Sequence, residues 1–270
     1  GLGGGVANDE NSSPMLENVS FIANAALYGG GMYNQGSNPE LSNVVFEENS
    51  AVYDGGGMDN VGASAPTLED VVFDGNAASN NGGGMFNNEN STPDLMNAVF
   101  RDNSAAYGAG MLNANGSAPT LMDVTFSGNV ASVSGGGMTN SRSAPTLVNV
   151  TFSGNSALTS GGGMRNRLGS NPMLQNVTFS GNSADLRGGI HNIENSSPTL
   201  VNVIIANSVR GGDCLNNSST LNIASSHNLI EDAANACDLT NSVNANGNII
   251  GFDPVLGPLA DNGGFSQTHA

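Results

Sequence analysis

The sequence predicts an all-β protein, a parallel β-helix of about eight regular coils, and three observations carry that prediction. A segment of 25 to 27 residues recurs eight times along the 270-residue chain, which is the length of one supersecondary unit. Each copy places the same apolar residues at the same positions. Glycine and asparagine also recur at fixed positions between the apolar residues of each copy. The period is marked by Pro14, Pro39, Pro66, Pro93, Pro119, Pro145, Pro172 and Pro198.

Apolar columns define the expected interior. A valine and a phenylalanine two residues apart, usually with threonine or valine between them, alternate as the two faces of a strand do. The Phe column contains Phe21, Phe46, Phe73, Phe100, Phe126, Phe152 and Phe179. The Met column contains Met32, Met58, Met85, Met111, Met138 and Met164. A methionine ladder can suggest a soft-metal site, but inward stacking explains it.

Corners are expected where the alternation breaks. A leucine and a valine lie three residues apart in each copy, and an asparagine or aspartate between them suits a bend. A second corner follows each phenylalanine, as at Gly128 and Asn129. An alanine suited to a narrow interior comes next, and a Gly-Gly-Gly run then allows close backbone packing before the methionine.

A column of asparagines, two residues after the methionines, is expected to form a hydrogen-bonded ladder. Successive coils of a β-helix pair at about 4.8 Å, so each amide would lie on the next and bond along the axis. The predicted ladder consists of Asn34, Asn60, Asn87, Asn113, Asn140, Asn166 and Asn192.

The repeat decays near residue 207. We therefore expect regular coils over residues 1–206 and irregular coils with an extended tail over residues 207–270. The two cysteines, Cys214 and Cys237, are 23 residues apart, close to one repeat, so a disulfide between neighbouring coils is reasonable. A disulfide would indicate an oxidising compartment. Two free buried thiols, or a redox or metal role, are the alternatives.

Charge narrows the possible partners. The formal net charge is −17 and all six basic residues are arginine, so no basic stripe exists to bind nucleic acid. The first 135 residues carry 15 acids and one arginine, against eight acids and five arginines in the rest. This charge asymmetry either reflects chance variation among solvent-exposed residues or makes the rod dipolar, which would favour head-to-tail contact.

No apolar run approaches the length of a transmembrane segment. The chain opens inside a repeat, which suggests a processed or excised piece.

The repeated motif resembles that of a bacterial surface family. Seven copies of Phe-x-x-Asn, each paired with Gly-Gly and a hydrophobic residue, resemble the repeats of chlamydial polymorphic outer membrane proteins over residues 3–205. Residues 228–230 and 253–269 are similar to the end of the repeat region in bacterial choice-of-anchor surface proteins. The resemblance implies a right-handed parallel β-helix that is secreted or attached to the cell surface and adhesin-like. It implies no catalytic residues.

One polar constellation stands out among the positions that follow each methionine. Arg165 and His191 occupy that position on consecutive coils, with Arg167, Arg187 and Glu194 nearby. Three interpretations are open, namely a solvated patch whose arginines pair with acids such as Asp185 or Glu194, a docking site for an anion or glycan, and a catalytic site.

Acidic side chains follow the Phe column on three consecutive coils. Glu47, Glu48, Asp74 and Asp102 are either a calcium site or ordinary solvated charge. Apart from this possible calcium, the sequence suggests no cofactor.

These features favour a non-catalytic extracellular or cell-surface rod of the adhesin-like type, with cell-surface or glycan ligands. A filament subunit that stacks head-to-tail on other copies through open coil ends is the first alternative. A polysaccharide lyase or hydrolase is the second, since such enzymes also use β-helices.

Overall fold

The computed structural model describes residues 1–239 and 246–270, and across them the chain is a parallel β-solenoid of about nine turns with no helix. The predicted fold class is therefore confirmed. Residues 240–245, which belong to the predicted irregular segment, lie outside the described residues. No helix of the described chain has the length and hydropathy needed to cross a membrane.

Three parallel sheets form the walls of the solenoid in the described residues. The Met sheet has the strands Val6–Asn8, Met32–Gln35, Met58–Val61, Met85–Asn87, Met111–Ala114, Met138–Ser141, Met164–Arg167, Ile190–Ile193 and Cys214–Asn217. The Ala sheet has the strands Ala25–Tyr28, Ser50–Asp54, Ala77–Ala78, Ser104–Tyr107, Val130–Ser134 and Ser156–Ala157. The two sheets are joined in each coil by the glycine run.

The Phe sheet is the largest and carries the Leu, Val and Phe columns. Its strands are Met15–Glu17, Ser20–Ile22, Glu40–Glu47, Thr67–Asp74, Asp94–Arg101, Thr120–Met122, Thr125–Ser127, Thr146–Val148, Thr151–Ser153, Met173–Gln175, Thr178–Ser180, Thr199–Val201, Ile204–Ala206, Leu229–Ile230 and Ile249–Ile250. A short antiparallel pair, Leu259–Ala260 with Thr268–His269, lies in the tail.

Identical residues stack on one another because the coils pair in register. Met58 pairs with Met85 and Asn60 with Asn87, and on the Phe sheet Phe73 pairs with Phe100. Successive phenylalanine rings are nearly parallel, 3–11° apart, with centroids separated by 4.6–4.8 Å. That separation equals the spacing of paired strands, so ring stacking and backbone pairing reinforce one another.

The predicted asparagine ladder is present on the Met sheet. Each Nδ2 donates to the Oδ1 of the asparagine one coil further on, at 2.8–2.9 Å, from Asn8 through Asn192. The ladder continues one coil beyond the predicted regular region, because Asn192 donates to Asn216. These amides are almost wholly buried, so the ladder satisfies polar groups that no solvent reaches.

A second ladder lies at the corner after the Phe column. There Asn76 donates from its backbone N and from Nδ2 to Oδ1 of Asn103, at 3.0 and 3.1 Å, and also from Nδ2 to the carbonyl of Phe46. The same pattern runs through Asn49, Asn76, Asn103, Asn129 and Asn155. The corner residue is thus also a buried cross-link between coils.

The first corner adopts the left-handed conformation that its residues tolerate. The asparagines and aspartates between the Leu and Val columns have φ values between 52° and 56°. They are Asn18, Asn43, Asp70, Asn97, Asp123, Asn149, Asn176 and Asn202.

The last glycine of each glycine run lies against the phenylalanine column. A Cβ on Gly137 would come 2.6 Å from Cδ1 of Phe152 and 2.6 Å from the carbonyl oxygen of Gly163 on the next coil. The glycine run therefore packs against the Phe sheet and against the next coil too closely for a side chain to fit.

The end of the chain departs from the repeat but stays on the rod. Cys214 occupies the Met column, paired with Ile190, and forms a disulfide with Cys237 with the two Cα atoms 5.0 Å apart. The tail then folds back on the Phe sheet, where Thr125 Oγ1 donates to the carbonyl of Gln267 at 2.7 Å and His269 Nε2 lies 3.0 Å from Ser153 Oγ.

Replacing one ladder amide should destabilise the rod. Asn113→Ala leaves the buried Nδ2 of Asn87 and Oδ1 of Asn140 without their partner. We expect the free energy of unfolding to fall by about 2–4 kcal/mol, since each buried unpaired group costs about 1–3 kcal/mol. Chemical denaturation followed by circular dichroism measures it. The exposed Asn217→Ala on the last strand of the Met sheet is the control, and equal stability of the two variants would contradict the role of the ladder.

Candidate functional site

Each strand of the Met sheet alternates nearly constant inward residues, the methionine and the asparagine, with variable outward ones, the first of which follows the methionine. Eight consecutive coils place eight different residue types there, while the asparagine on its far side is unchanged. We call this set the floor column. Its members are Ala7, Tyr33, Asp59, Phe86, Leu112, Thr139, Arg165 and His191.

Most of the floor column is buried, although it lies on the outward side of the strand. Asp59, Phe86, Leu112, Thr139 and His191 are all buried. They point away from the interior of the solenoid, yet a neighbouring ridge shields them. Their burial makes the floor column the base of a groove and not a flat face.

The shielding ridge is a second column, which we call the wall column. It precedes the methionines by four residues, and its members are Tyr28, Asp54, Asn81, Tyr107, Ser134, Ser160 and Leu186. The next residue has a φ of 56–68° and is glycine on six coils, which turns the chain back beside the floor column. A Cβ on Gly108 would lie 2.8 Å from Cβ of Leu112, so the turn rests directly on the floor.

An open groove of about 340 Å³ lies between the wall column and the residues that follow the asparagine ladder. We call it the Met-sheet groove. It is lined by Asn81, Phe86, Asn88, Tyr107, Leu112, Ala114, Asn115, Thr139, Ser141 and Arg167. Its base holds Phe86 and Leu112 beside Thr139, and its rims carry amides, hydroxyls, a phenol and a guanidinium, so it offers a ligand both apolar contact and hydrogen-bonding groups.

The predicted arginine–histidine constellation lies at the carboxy-terminal end of this groove. Arg165 and His191 are paired neighbours on the Met sheet, as expected from their positions in the repeat. Arg165 Nη1 donates to Ser134 Oγ of the wall column at 2.9 Å. Arg167 lines the groove itself, and Nη1 of Arg187 donates to the carbonyl of Gly211 at 2.8 Å.

Much of the hydrogen-bonding capacity of these groups is unused. His191 is 5% exposed, and neither of its ring nitrogens has a partner among the described residues. The same holds for Nε of Arg165, Arg167 and Arg187. Burial, reinforced by the charges of Arg165 and Arg187, lowers the pKa of His191 to about 4. Burial also lowers the pKa of Arg165. Buried polar groups are normally satisfied, so unpaired ones gathered in one place point to a ligand.

Arginine–acid pairing accounts for part of the constellation. Arg167 Nε lies 3.7 Å from Glu194, too long for a hydrogen bond, and both side chains are partly exposed. Asp185 pairs with Arg210 at 2.6 Å and not with an arginine of the groove. In the described residues, Arg165 and Arg187 form no ion pair.

The amino-terminal end of the floor is acidic. Asp59 is 1% exposed, and its Oδ1 has no hydrogen-bond partner among the residues described. Burial, followed by the charges of Asp54 and Glu89, raises the pKa of Asp59 well above its usual range. Asp54, on the wall column, also has a raised pKa because of burial. The floor therefore runs from acid to base along the rod.

The acids considered for calcium are not gathered into a site. Asp74 is held by Arg101, whose Nε and Nη2 donate to its Oδ2 at 2.9 and 2.6 Å. Within residues 1–239 and 246–270, no three histidine, cysteine or acidic side chains are arranged to hold a metal ion. The structure thus gives the calcium interpretation of Glu47, Glu48, Asp74 and Asp102 no support.

The wall column was missed by sequence reasoning, although a signal existed. Its residues always stand just before the first glycine of the run, or before Arg187 on one coil, and they include five residue types on seven coils. Variation at two positions flanking a constant turn indicates that both face one cleft.

His191 should make the protein less stable in acid. The pKa of His191 is about 4 in the folded chain, below the value near 6.5 of an unfolded histidine. Between those two pH values the unfolded chain therefore binds more protons than the folded chain does. The His191 contribution to the free energy of unfolding is therefore complete above pH 6.5 and falls as the pH approaches 4. His191→Gln should flatten this dependence in denaturation curves, whereas His227→Gln, at an exposed position, should not. An NMR titration midpoint near 6.5 for His191 would contradict the assignment.

Asp59 should act in the opposite sense. Its raised pKa means that the folded chain holds the proton more tightly, so stability falls as pH rises above the unfolded value. We expect Asp59→Asn to raise the free energy of unfolding at pH 7 by about 1–3 kcal/mol, the cost of an unpaired buried group. Near pH 3 the gain should vanish, because the wild-type carboxyl is then protonated. Exposed Asp94→Asn is the control, and a loss of stability for Asp59→Asn at pH 7 would refute the account.

Comparison with known proteins finds no matching family model, no matching curated protein and no matching solved structure. The function must therefore be inferred from the fold and from the groove.

Proposed function

We propose that this protein is a non-catalytic rod, outside the cell or at its surface, that acts as an adhesin-like binding module. The observation that carries the proposal is the contrast within each strand of the Met sheet. The buried methionine and asparagine hardly change from coil to coil, whereas the floor column between them changes at every coil. Uniform packing builds a scaffold, and variable side chains that line a groove support recognition.

Two further features support an extracellular setting. The disulfide between Cys214 and Cys237 is of a kind that persists in oxidising compartments. The Phe-x-x-Asn and Gly-Gly-hydrophobic repeats resemble those of chlamydial polymorphic outer membrane proteins and of choice-of-anchor surface proteins, which favours a bacterial surface role.

The distribution of charge along the groove argues against a uronate lyase, which needs a basic group beside acidic metal ligands. Here Asp59 and Arg165 are four coils apart on the floor, which is about 19 Å at the spacing of paired strands. Head-to-tail assembly into a filament stays a prediction.

The proposal is tested by applying the labelled, folded protein to a glycan array and to cultured cells. We expect binding above that of heat-unfolded protein, with no shortening of the bound saccharides and no new reducing or unsaturated ends. Tyr107→Ala, on the wall of the groove, should reduce the signal, whereas Tyr53→Ala on the exposed Ala sheet should not. Absence of any binding, or release of sugar products, would contradict the proposal.

A further inference from the structure

We propose that the Met-sheet groove binds an oligosaccharide that carries a uronate, with the carboxylate held at the end formed by Arg165, Arg167 and His191. Neutral sugar units would lie along the apolar floor toward Phe86. The inference deepens the proposed function, on which it rests, because it names the ligand class of the binding module and the residues that select it.

The first support is the cluster of unsatisfied donors. Arg165, Arg167 and Arg187 each have a buried Nε without an acceptor in the described chain, and His191 has two free ring nitrogens. Three guanidinium groups on neighbouring coils make the site electropositive, with Glu194 as the nearby acid, and the neutral imidazole of His191 adds one N–H donor. A carboxylate satisfies such donors, and arginine forks bind it in a bidentate manner.

The second support comes from Arg187. It occupies the turn position that the six preceding complete coils fill with glycine, and its φ is 62°. Other residues with side chains, such as Arg142 and Leu168, adopt positive φ at corners of this chain, so Arg187 is distinguished by its place in the coil and not by its conformation. The result is a cationic side chain beside the buried imidazole of His191, where the other coils have no side chain at all.

The third support is the continuity of the cationic end with the groove. Arg167 lines the groove together with Tyr107 and Thr139, and Arg165 pairs with Thr139 from the next coil. Beyond them the floor presents the side chains of Leu112 and Phe86 between amide and hydroxyl rims. Sugar rings have apolar faces and hydroxyl edges, and such a lining matches both.

The overall charge indicates a sparsely charged glycan and not a dense polyanion. The chain carries a net charge of −17, and the floor turns acidic at Asp59 beside Asp54 and Glu89. A glycan with a carboxylate on every sugar unit would be repelled by the acidic end of the groove, whereas a single carboxylate at the basic end would not. The groove therefore favours a glycan in which neutral units separate the acidic ones.

The test is isothermal titration calorimetry of the full chain with a hyaluronan hexasaccharide, in which glucuronate alternates with N-acetylglucosamine. We expect binding, and at least a tenfold loss of affinity with Arg165→Gln, because the charge-assisted hydrogen bonds to the carboxylate are removed. Arg165→Lys keeps the positive charge but lacks the planar guanidinium that binds a carboxylate through two hydrogen bonds, so it should give an intermediate affinity. The neutral chitotetraose should bind at least about tenfold more weakly than the hexasaccharide.

Arg101→Gln is the matched control, because it removes the same charge from an exposed residue outside the groove. Circular dichroism and the thermal midpoint establish that each variant is folded. Equal hexasaccharide affinity for wild type and Arg165→Gln overturns the proposal, as does equal affinity for chitotetraose. Sodium sulfate that binds as tightly as the hexasaccharide overturns the saccharide part. If the glycan array detects a different ligand while the hexasaccharide does not bind, this inference fails and the proposed function stands.

Discussion

The coil-to-coil hydrogen bond between identical buried amides is the constraint on which this structure depends. An asparagine buried in the wall of a solenoid must find a donor and an acceptor at the spacing of paired strands, and the same amide one coil away provides both. A one-residue slip would break two ladders and misalign the phenylalanine stack at once. Register, composition and period are thus coupled, which explains why the repeat tolerates so little change in these columns.

The same constraint decides where variation is possible. Once methionine, leucine, valine, phenylalanine and both asparagines have interior duties, only residues pointing away from the core are free to change. A glycine of positive φ then brings the wall column beside the floor column and turns this variable surface into a groove. Among the described residues, this turn position is occupied by arginine on one coil only. That coil lies at the basic end of the groove, where Arg187 approaches His191.

Residues with a periodic role were predictable, and residues with a local role were not. The Met-sheet ladder follows from an invariant asparagine at one position, and the seven asparagines from Asn24 to Asn182 carried an equal signal for the second ladder. Burial of Asp59 and His191 could not be inferred from alternation, because it depends on how the glycine turn places the wall column. The docking of Gln267 against Thr125 joins residues 142 apart and leaves no periodic trace.

Native-state hydrogen exchange resolved by residue tests the ladder account most directly. If identical amides hold the coils together, backbone amides of the second ladder such as Asn76 and Asn103, which donate to the next Oδ1, should be among the slowest to exchange. Protection should decline toward Val6–Asn8 and the tail pair at Thr268–His269. Central coils that exchange as fast as Thr268–His269 would contradict the account.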